Sequence, residues 1–324
     1  MAEPRPTPDP SFGGLLVVDK PAGWTSHDVV ARCRKVFGLK KVGHAGTLDP
    51  DATGVLLVGL GSVTRLLRFL SGLPKSYRGE VVLGVATSTL DASGEVTGRW
   101  PMGAVTLEEA RAAAATLTGQ ITQVPPMVSA VHAGGRRLHE LARAGIEVER
   151  EARPVTVTRF ELEGPVAGVS EDGAGPVFSA VVECSSGTYV RALAADLGAR
   201  LGGGAHLRNL RRTSVGPYTL ADAVALDHVS PAALRPPRDA LPGMAVVTVD
   251  ASRAAAVGHG AVLSPADLGS SGEGPWAVVA SDGRLQAVYE GTPDGRAKPA
   301  VVLPAPAPPA GPAGPVGRSA LGPR

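Results

Sequence analysis

Apolar residues along the chain fall into short runs and alternations rather than one sustained helical period. Residues 14–18, GLLVV, form an unbroken apolar run that predicts a strand, ending in the turn Asp19-Lys20-Pro21-Ala22-Gly23. Thr25 or Ser26 then caps a helix in which Val29, Cys33 and Val36 recur at helical spacing and bury one face. Residues 54–60 predict a buried strand, residues 62–70 a short helix closed by Gly72, and residues 77–83 another strand. Thr106 and Glu109 have capping-box spacing ahead of an Ala-rich helix that runs to Thr118, with Gly119 to end it. Residues 120–150 are polar and predicted irregular. Val155 and Val157 alternate with Thr156 and Thr158, as a half-buried strand requires. Residues 177–184 give a second strand in this half, and residues 189–201 an amphipathic helix ending at Gly202.

The pattern changes towards the C-terminus. Residues 231–243, PAALRPPRDALPG, read as a linker within 230–243. Short strands return over residues 245–303, separated by turns at Ser281-Asp282-Gly283 and Pro293-Asp294-Gly295, and predict a small β-rich domain. Residues 1–12 are Pro-rich, and residues 304–324 are almost entirely Pro, Ala and Gly. Neither segment can bury a core, so both are expected to be disordered. Strands and helices alternate without a regular βαβ repeat. The expected class is α+β, with a mixed, largely antiparallel sheet.

Composition narrows the function classes. Hydrophobic residues make up 44% of 324, enough for a sizeable core. The net charge is only +2, so the local clusters are more informative: Arg32, Arg34, Lys35, Lys40 and Lys41; Arg136 and Arg137; Arg208, Arg211 and Arg212. They suit either a solvated surface or a phosphate backbone. Cys33 and Cys184 are too few for a disulfide framework or a zinc site, and no metal is expected. The first ten residues lack an apolar signal region, and the longest apolar run, residues 55–60, is too short to span a bilayer. A reducing cytoplasm is the expected location.

The segment GHAGTLDPDATG, residues 43–54, concentrates small residues, a histidine and two acids just before a buried strand. Glycines there let a partner approach the backbone closely. A structural turn capped by Asp49 has the same composition. A calcium loop starting at Asp49 would need a bidentate acid at its twelfth position, where Leu60 stands. The D-x-D-x-T spacing of Asp49, Asp51 and Thr53 suggests an aspartyl phosphatase. In that family, however, the first acid ends a hydrophobic strand, whereas His44-Ala45-Gly46-Thr47 comes shortly before it here.

Residues 43–54 with the following apolar strand resemble the catalytic loop of the TruB family of bacterial tRNA pseudouridine synthases. Four further stretches agree in order. Residues 14–21, GLLVVDKP, resemble the opening strand and Lys-Pro turn, and Lys75-Ser76-Tyr77 resembles the segment of the active-site tyrosine. Gly187-Thr188-Tyr189-Val190-Arg191 resembles the G-T-Y-x-R motif. Gly204-Ala205-His206-Leu207 with Leu210-Arg211-Arg212 resembles the G-A-H and L-R-R stretch. These cover most of residues 14–218, within an expected catalytic domain of residues 13–232. Gln123-Val124-Pro125-Pro126 and Ser129-Ala130 resemble a thumb-like insertion over about 120–150, although Val128, His132 and His139 depart from its pattern. Residues 245–303 resemble a reduced PUA domain, an RNA-binding barrel. Lys298-Pro299 followed by Val301 and Val302 is similar to its closing strand.

The resemblance implies an isomerase acting on the T-loop uridine of tRNA, uridine-55, as a monomer without cofactor. The glycosidic C–N bond breaks, the uracil rotates and rejoins through carbon. Asp49 is then the catalytic aspartate, ionised and acting as a nucleophile towards the base or the sugar, or as a base at the sugar. Arg191 beside it is expected to keep its pKa low. Tyr77 stacks on the uracil near the departing proton, or is a core tyrosine of its strand; Leu210 packs against the base pocket or simply in the core; Tyr189 supports the active site or simply packs beneath Asp49. The base must be flipped out of the folded T-arm. His44 is placed to fill the vacated space, and Lys20, Arg136, Arg137, Arg208 and Arg211 to hold RNA. Lys20 can alternatively shape the turn beneath the site. The rival from another class is a tRNA chaperone that binds without turnover.

Overall fold

The computed structural model describes residues 13–129, 132–133, 136–137, 146, 148–166 and 174–304. The proposed tails, 1–12 and nearly all of 304–324, lie outside these residues, as does most of the insertion, including His139. The described residues form two compact units that divide between Gly243 and Met244.

The first unit carries fourteen described strands and four described helices. In chain order they begin with β1 (Leu15–Lys20), α1 (Ser26–Phe37), β2 (Val42–Ala45), β3 (Thr53–Leu60), α2 (Leu67–Ser71) and β4 (Lys75–Leu83). Then come β5 (Val85–Thr87), β6 (Val96–Arg99), α3 (Leu107–Ala115), β7 (Gly119–Gln123), β8 (His132–Ala133) and β9 (Arg136–Arg137). The last are β10 (Arg153–Glu163), β11 (Val177–Cys184), α4 (Val190–Arg200), β12 (Ala205–Val215), β13 (Tyr218–Thr219) and β14 (Val224–Ala225). Ten strands make one sheet whose main path runs β14-β1-β3-β12-β4-β11-β10-β7. Only the β1–β14 and β3–β12 pairings are parallel, so the sheet is mixed and largely antiparallel, as the sequence predicts.

Two cores hold this sheet. One packs α3 and α4 against β4, β10, β11 and β12 through Phe160, Phe178, Leu193 and Leu197. The other packs α1 on β1 and β3 through Val29, Cys33, Leu16 and Val58. α4 is more enclosed than an amphipathic helix, with Val190, Arg191, Ala192, Leu193, Ala194, Leu197 and Gly198 buried. Gly198 permits this: a Cβ there would meet the Ala205 backbone nitrogen at 2.5 Å.

Three expectations are corrected. Residues 231–243 are not a free linker. They form short 3-10 turns, and Leu234, Ala240 and Leu241 are buried, while Leu15 and Arg235 exchange backbone hydrogen bonds. The first unit therefore extends beyond residue 232, because Leu234 and Leu241 anchor a Pro-rich chain. Residues 119–123 form the edge strand β7, paired with β10, where irregular chain was expected. The helix expected over 62–70 begins as a 3-10 turn, Gly61–Leu66, before α2, and Gly72 is right-handed rather than a left-handed cap.

In the second unit β15 (Ala245–Val249), β16 (Trp276–Ala280), β17 (Leu285–Gly291) and β18 (Ala297–Val302) form a four-stranded sheet. With α5 (Ala251–Gly258) and α6 (Pro265–Leu268) it encloses Val257, Trp276, Val278 and Tyr289. No described helix is long and apolar enough to cross a membrane.

Candidate active site

Asp49 lies in the loop between β2 and β3, and that loop is fastened on both sides of it. Thr25 and Asp28 form a reciprocal capping box that fixes the start of α1. This sets Ser26, the first helical residue, so that its Oγ accepts from the Leu48 backbone nitrogen at 2.9 Å. On the other side, the Gly23 nitrogen and the Lys20 ammonium both donate to the Pro50 carbonyl, at 3.0 and 2.8 Å. Gly54 closes the loop at φ +103°. A Cβ there would lie 2.1 Å from the Arg212 carbonyl of β12, so only glycine fits.

Arg191, the second residue of α4, reaches back to this loop. Its Nε lies 2.9 Å from Asp49 Oδ2, and its Nη2 donates to Asp49 Oδ1 at 3.0 Å, a bidentate pair. Nη1 donates to the Thr89 carbonyl at 2.7 Å and Nη2 to the Val128 carbonyl at 2.8 Å. Asp91 stands 3.6 Å from Nε. The guanidinium is buried, while 38% of the Asp49 side chain remains open to the cleft. Burial nevertheless pushes the Asp49 carboxyl above its ordinary value, Arg191 pulls it back and Asp91 adds to the rise. The expected lowering by Arg191 is thus present but outweighed by burial.

The cleft over Asp49, about 250 Å³, is lined by Tyr77, Tyr189, Arg191 and Leu210 among others. A second depression shares Asp49, Arg191 and Leu210 and adds Asp91 and Arg208. Tyr77, on β4, is buried at 7% exposure. Burial raises its phenol pKa, opposed chiefly by the nearby Arg212 charge, so it is a neutral phenol at pH 7. Leu210 packs partly on the main core beside the cleft.

Other predicted residues lie outside the wall of the cleft and have partners within the fold. Lys20 has no exposed surface, so it is not available to RNA. Its ammonium donates to the Pro21, Trp24 and Pro50 carbonyls at 2.9, 2.6 and 2.8 Å, and burial pulls its pKa down to about 8. The turn-shaping reading is the one its surroundings match. His44 is on β2, outside the lining of the cleft. It packs edge-on against His27 with ring centroids 5.4 Å apart, and burial lowers its pKa to about 4, so the ring is neutral. Arg208 pairs with Glu80 at 2.6 Å, and Arg211 takes Asp19 in a bidentate contact at 3.0 and 2.6 Å. Arg136 and Arg137 belong to the β8–β9 ladder, and their side chains lie outside the described features.

Sequence reasoning gave no site role to Lys75, Asp91 or Arg212. Arg212 has no exposed surface and donates to the Val55 and Gly46 carbonyls at 2.7 and 2.9 Å. Lys75 donates to the Ser71 and Leu73 carbonyls at 3.1 and 2.7 Å. Burial, then Arg212, brings its pKa down to about 8. Among the described residues there is no cluster of three His, Cys, Asp or Glu side chains able to hold a metal. Asp49 sits in a loop ahead of β3 rather than at the end of a hydrophobic strand, unlike the first acid of the phosphatase pattern.

Comparison with known proteins agrees with this geometry. The model for the N-terminal domain of TruB family pseudouridylate synthases matches residues 34–190. That for the tRNA pseudouridylate synthase B C-terminal domain matches residues 191–240. The tRNA pseudouridine synthase B of Thermobifida fusca (strain YX) is 48% identical over 292 residues, 90% of this chain and 98% of the relative. That of Arthrobacter sp. (strain FB24) is 46% identical over 305 residues, 90% and 97% of the two chains. Among solved structures, a Cbf5-Nop10-Gar1 complex aligns with a TM-score of 0.64 and 27% identity, covering 87% of this chain and 78% of that one. An H/ACA RNP bound to a substrate RNA containing 2'-deoxyuridine aligns with a TM-score of 0.65 and 25% identity, covering 90% and 85%. The fold is that of a pseudouridine synthase. Within that class the chain belongs to the TruB family.

Proposed function

We propose that the protein converts the T-loop uridine of tRNA, uridine-55, to pseudouridine, with Asp49 as its catalytic residue. The observation that carries this reading is the bidentate Asp49–Arg191 pair at the base of a cleft lined by Tyr77 and Leu210. A folded T-arm cannot offer its stacked base to such a cleft, so the nucleotide is flipped out, with His44 as the neutral wedge. The C1'–N1 bond breaks with its electron pair passing to the uracil. Asp49 acts on the nucleoside as nucleophile or base. The uracil then turns, C5 bonds to C1', the C5 proton leaves and N1 takes up a proton. Atoms and charge balance without any redox partner. Tyr77 stacks on the ring, and Leu210 keeps water from the sugar carbon, which would otherwise be hydrolysed.

Tyr189 supports this wall of the cleft, and Arg136, Arg137, Arg208 and Arg211 hold the tRNA backbone. For Arg208 and Arg211 this requires exchanging a protein carboxylate for phosphate. Residues 245–303 act as a PUA-type RNA-gripping module. The enzyme works in the cytoplasm as a monomer and without a metal cofactor. The test is to incubate it with prefolded, unmodified tRNA in excess EDTA and map pseudouridine by position. Conversion at uridine-55 alone is the expected result. Conversion at another position overturns the assignment of the target, and no conversion favours the binding-only alternative.

A further inference from the structure

The loop that leads into α4 lacks the usual helix start. Its N-cap residue, Tyr189, makes no side-chain capping hydrogen bond, yet Arg191 two residues on must meet Asp49 in a bidentate contact. Gln123, the last residue of β7, supplies the missing restraint from 66 residues away. Gln123 is 3% exposed. Its Oε1 accepts from the Tyr189 backbone nitrogen at 2.8 Å, and its Nε2 donates to the Tyr189 carbonyl at 3.2 Å. The amide orientation is forced, since a flipped group would set donor against donor. The side chain thus pairs with Tyr189 as a neighbouring strand would.

Five residues further along, the Val128 carbonyl accepts from Arg191 Nη2. The segment 123–128 therefore holds the backbone before Arg191 at one end and its guanidinium at the other. With Nε, Nη1 and Nη2 all engaged, Arg191 has little freedom to absorb a shift of its helix start.

We propose that Gln123 is a positioning residue for the catalytic pair: it fixes Tyr189 and the first turn of α4, and so sets Arg191 on Asp49. The proposal rests on the functional reading above. Gln123 itself touches no reacting atom. Its loss lets the first turn of α4 drift, and a displacement near 1 Å at a reacting centre costs about a hundredfold in rate.

Gln123→Leu, close in shape and unable to make either bond, tests this with full-length protein and unmodified tRNA. The single-turnover rate is expected to fall about a hundredfold while tRNA affinity stays within about threefold. In an Arg191→Lys background the same change should cost no more than about twofold, because the residue acts through Arg191. Gln123→Glu keeps the acceptor for Tyr189 and loses the donor, so it should fall between wild type and Gln123→Leu. It carries the test if the leucine variant does not fold. An unchanged rate, an equal loss in both backgrounds, or a loss matched by the unfolded fraction overturns the proposal. A wild-type enzyme that makes no pseudouridine under these conditions would instead defeat the functional reading itself.

Discussion

The two compact units treat polar groups in opposite ways. Among the described residues the first unit buries Lys20, Lys75, Gln123, Arg191 and Arg212, whereas the second buries only Gln286. The charges of the second unit pair at its surface, as in Arg253–Asp250 and Arg296–Asp294. Exposed pairs of that kind contribute little to stability. Buried cations are costly unless hydrogen-bonded, and those around Asp49 are, so the fold there supports a shaped, charged cleft. The second unit is built like an ordinary small domain.

The comparison breaks most readily at Arg191. Arg191→Gln should lower turnover at least about a hundredfold, since the cation beside the reacting carboxylate is lost. It should also move the acid limb of the pH–rate profile upwards. Burial already raises the Asp49 pKa, and Arg191 is the main group opposing it. Without it the carboxylate is protonated at a higher pH. A limb that stays in place would mean that Arg191 does not govern Asp49.

Lys20 tests the cost of burial. Lys20→Met leaves the Pro21, Trp24 and Pro50 carbonyls without their shared donor and should destabilise the first unit by roughly 3 kcal/mol in urea. The pH dependence has a definite sign. The folded Lys20 releases its proton near pH 8 against an ordinary value of 10.5, so between these values the unfolded chain holds more protons. Unfolding free energy therefore gains a rising contribution from Lys20 across that window, and the methionine variant should show a shallower rise. An identical pH dependence in the two proteins would contradict the assignment.

The smallest effect on chemistry is expected from the second unit. Ending the chain at Gly243 should weaken tRNA binding yet leave the single-turnover rate at saturating enzyme nearly unchanged. The first unit keeps both cores, Asp49, Tyr77 and Arg191. Loss of the chemical step with affinity intact would show that the division of labour is drawn in the wrong place.

Much of this was legible in the residues. The strand over 177–184 and the capping box at Thr106 and Glu109 appear as their patterns predict, because period and cap chemistry act locally. β12, which carries Leu210 and Arg212, was not predicted as a strand. Its register shifts between Arg208 and Arg211 and again before Ser214, which breaks the alternation that marks a strand. β7 offered Ile121 as its lone apolar residue, and only pairing with β10 makes it a strand. Lys75 and Arg212 escaped notice as site residues because charged side chains are seldom buried, and nothing local announces the carbonyls that receive them. Asp49, by contrast, was marked by its Gly-rich loop and by its order among the other motifs.

The proposed mechanism gives the chemistry to Asp49 and leaves the surrounding cations to shape its cleft. Asp49→Asn is nearly isosteric and removes only the reactive charge. Single-turnover pseudouridine formation and tRNA affinity, measured on the same preparation, test the claim directly. No detectable product is expected, with tRNA bound within about threefold of wild type. Appreciable pseudouridine from the asparagine variant would contradict the mechanism.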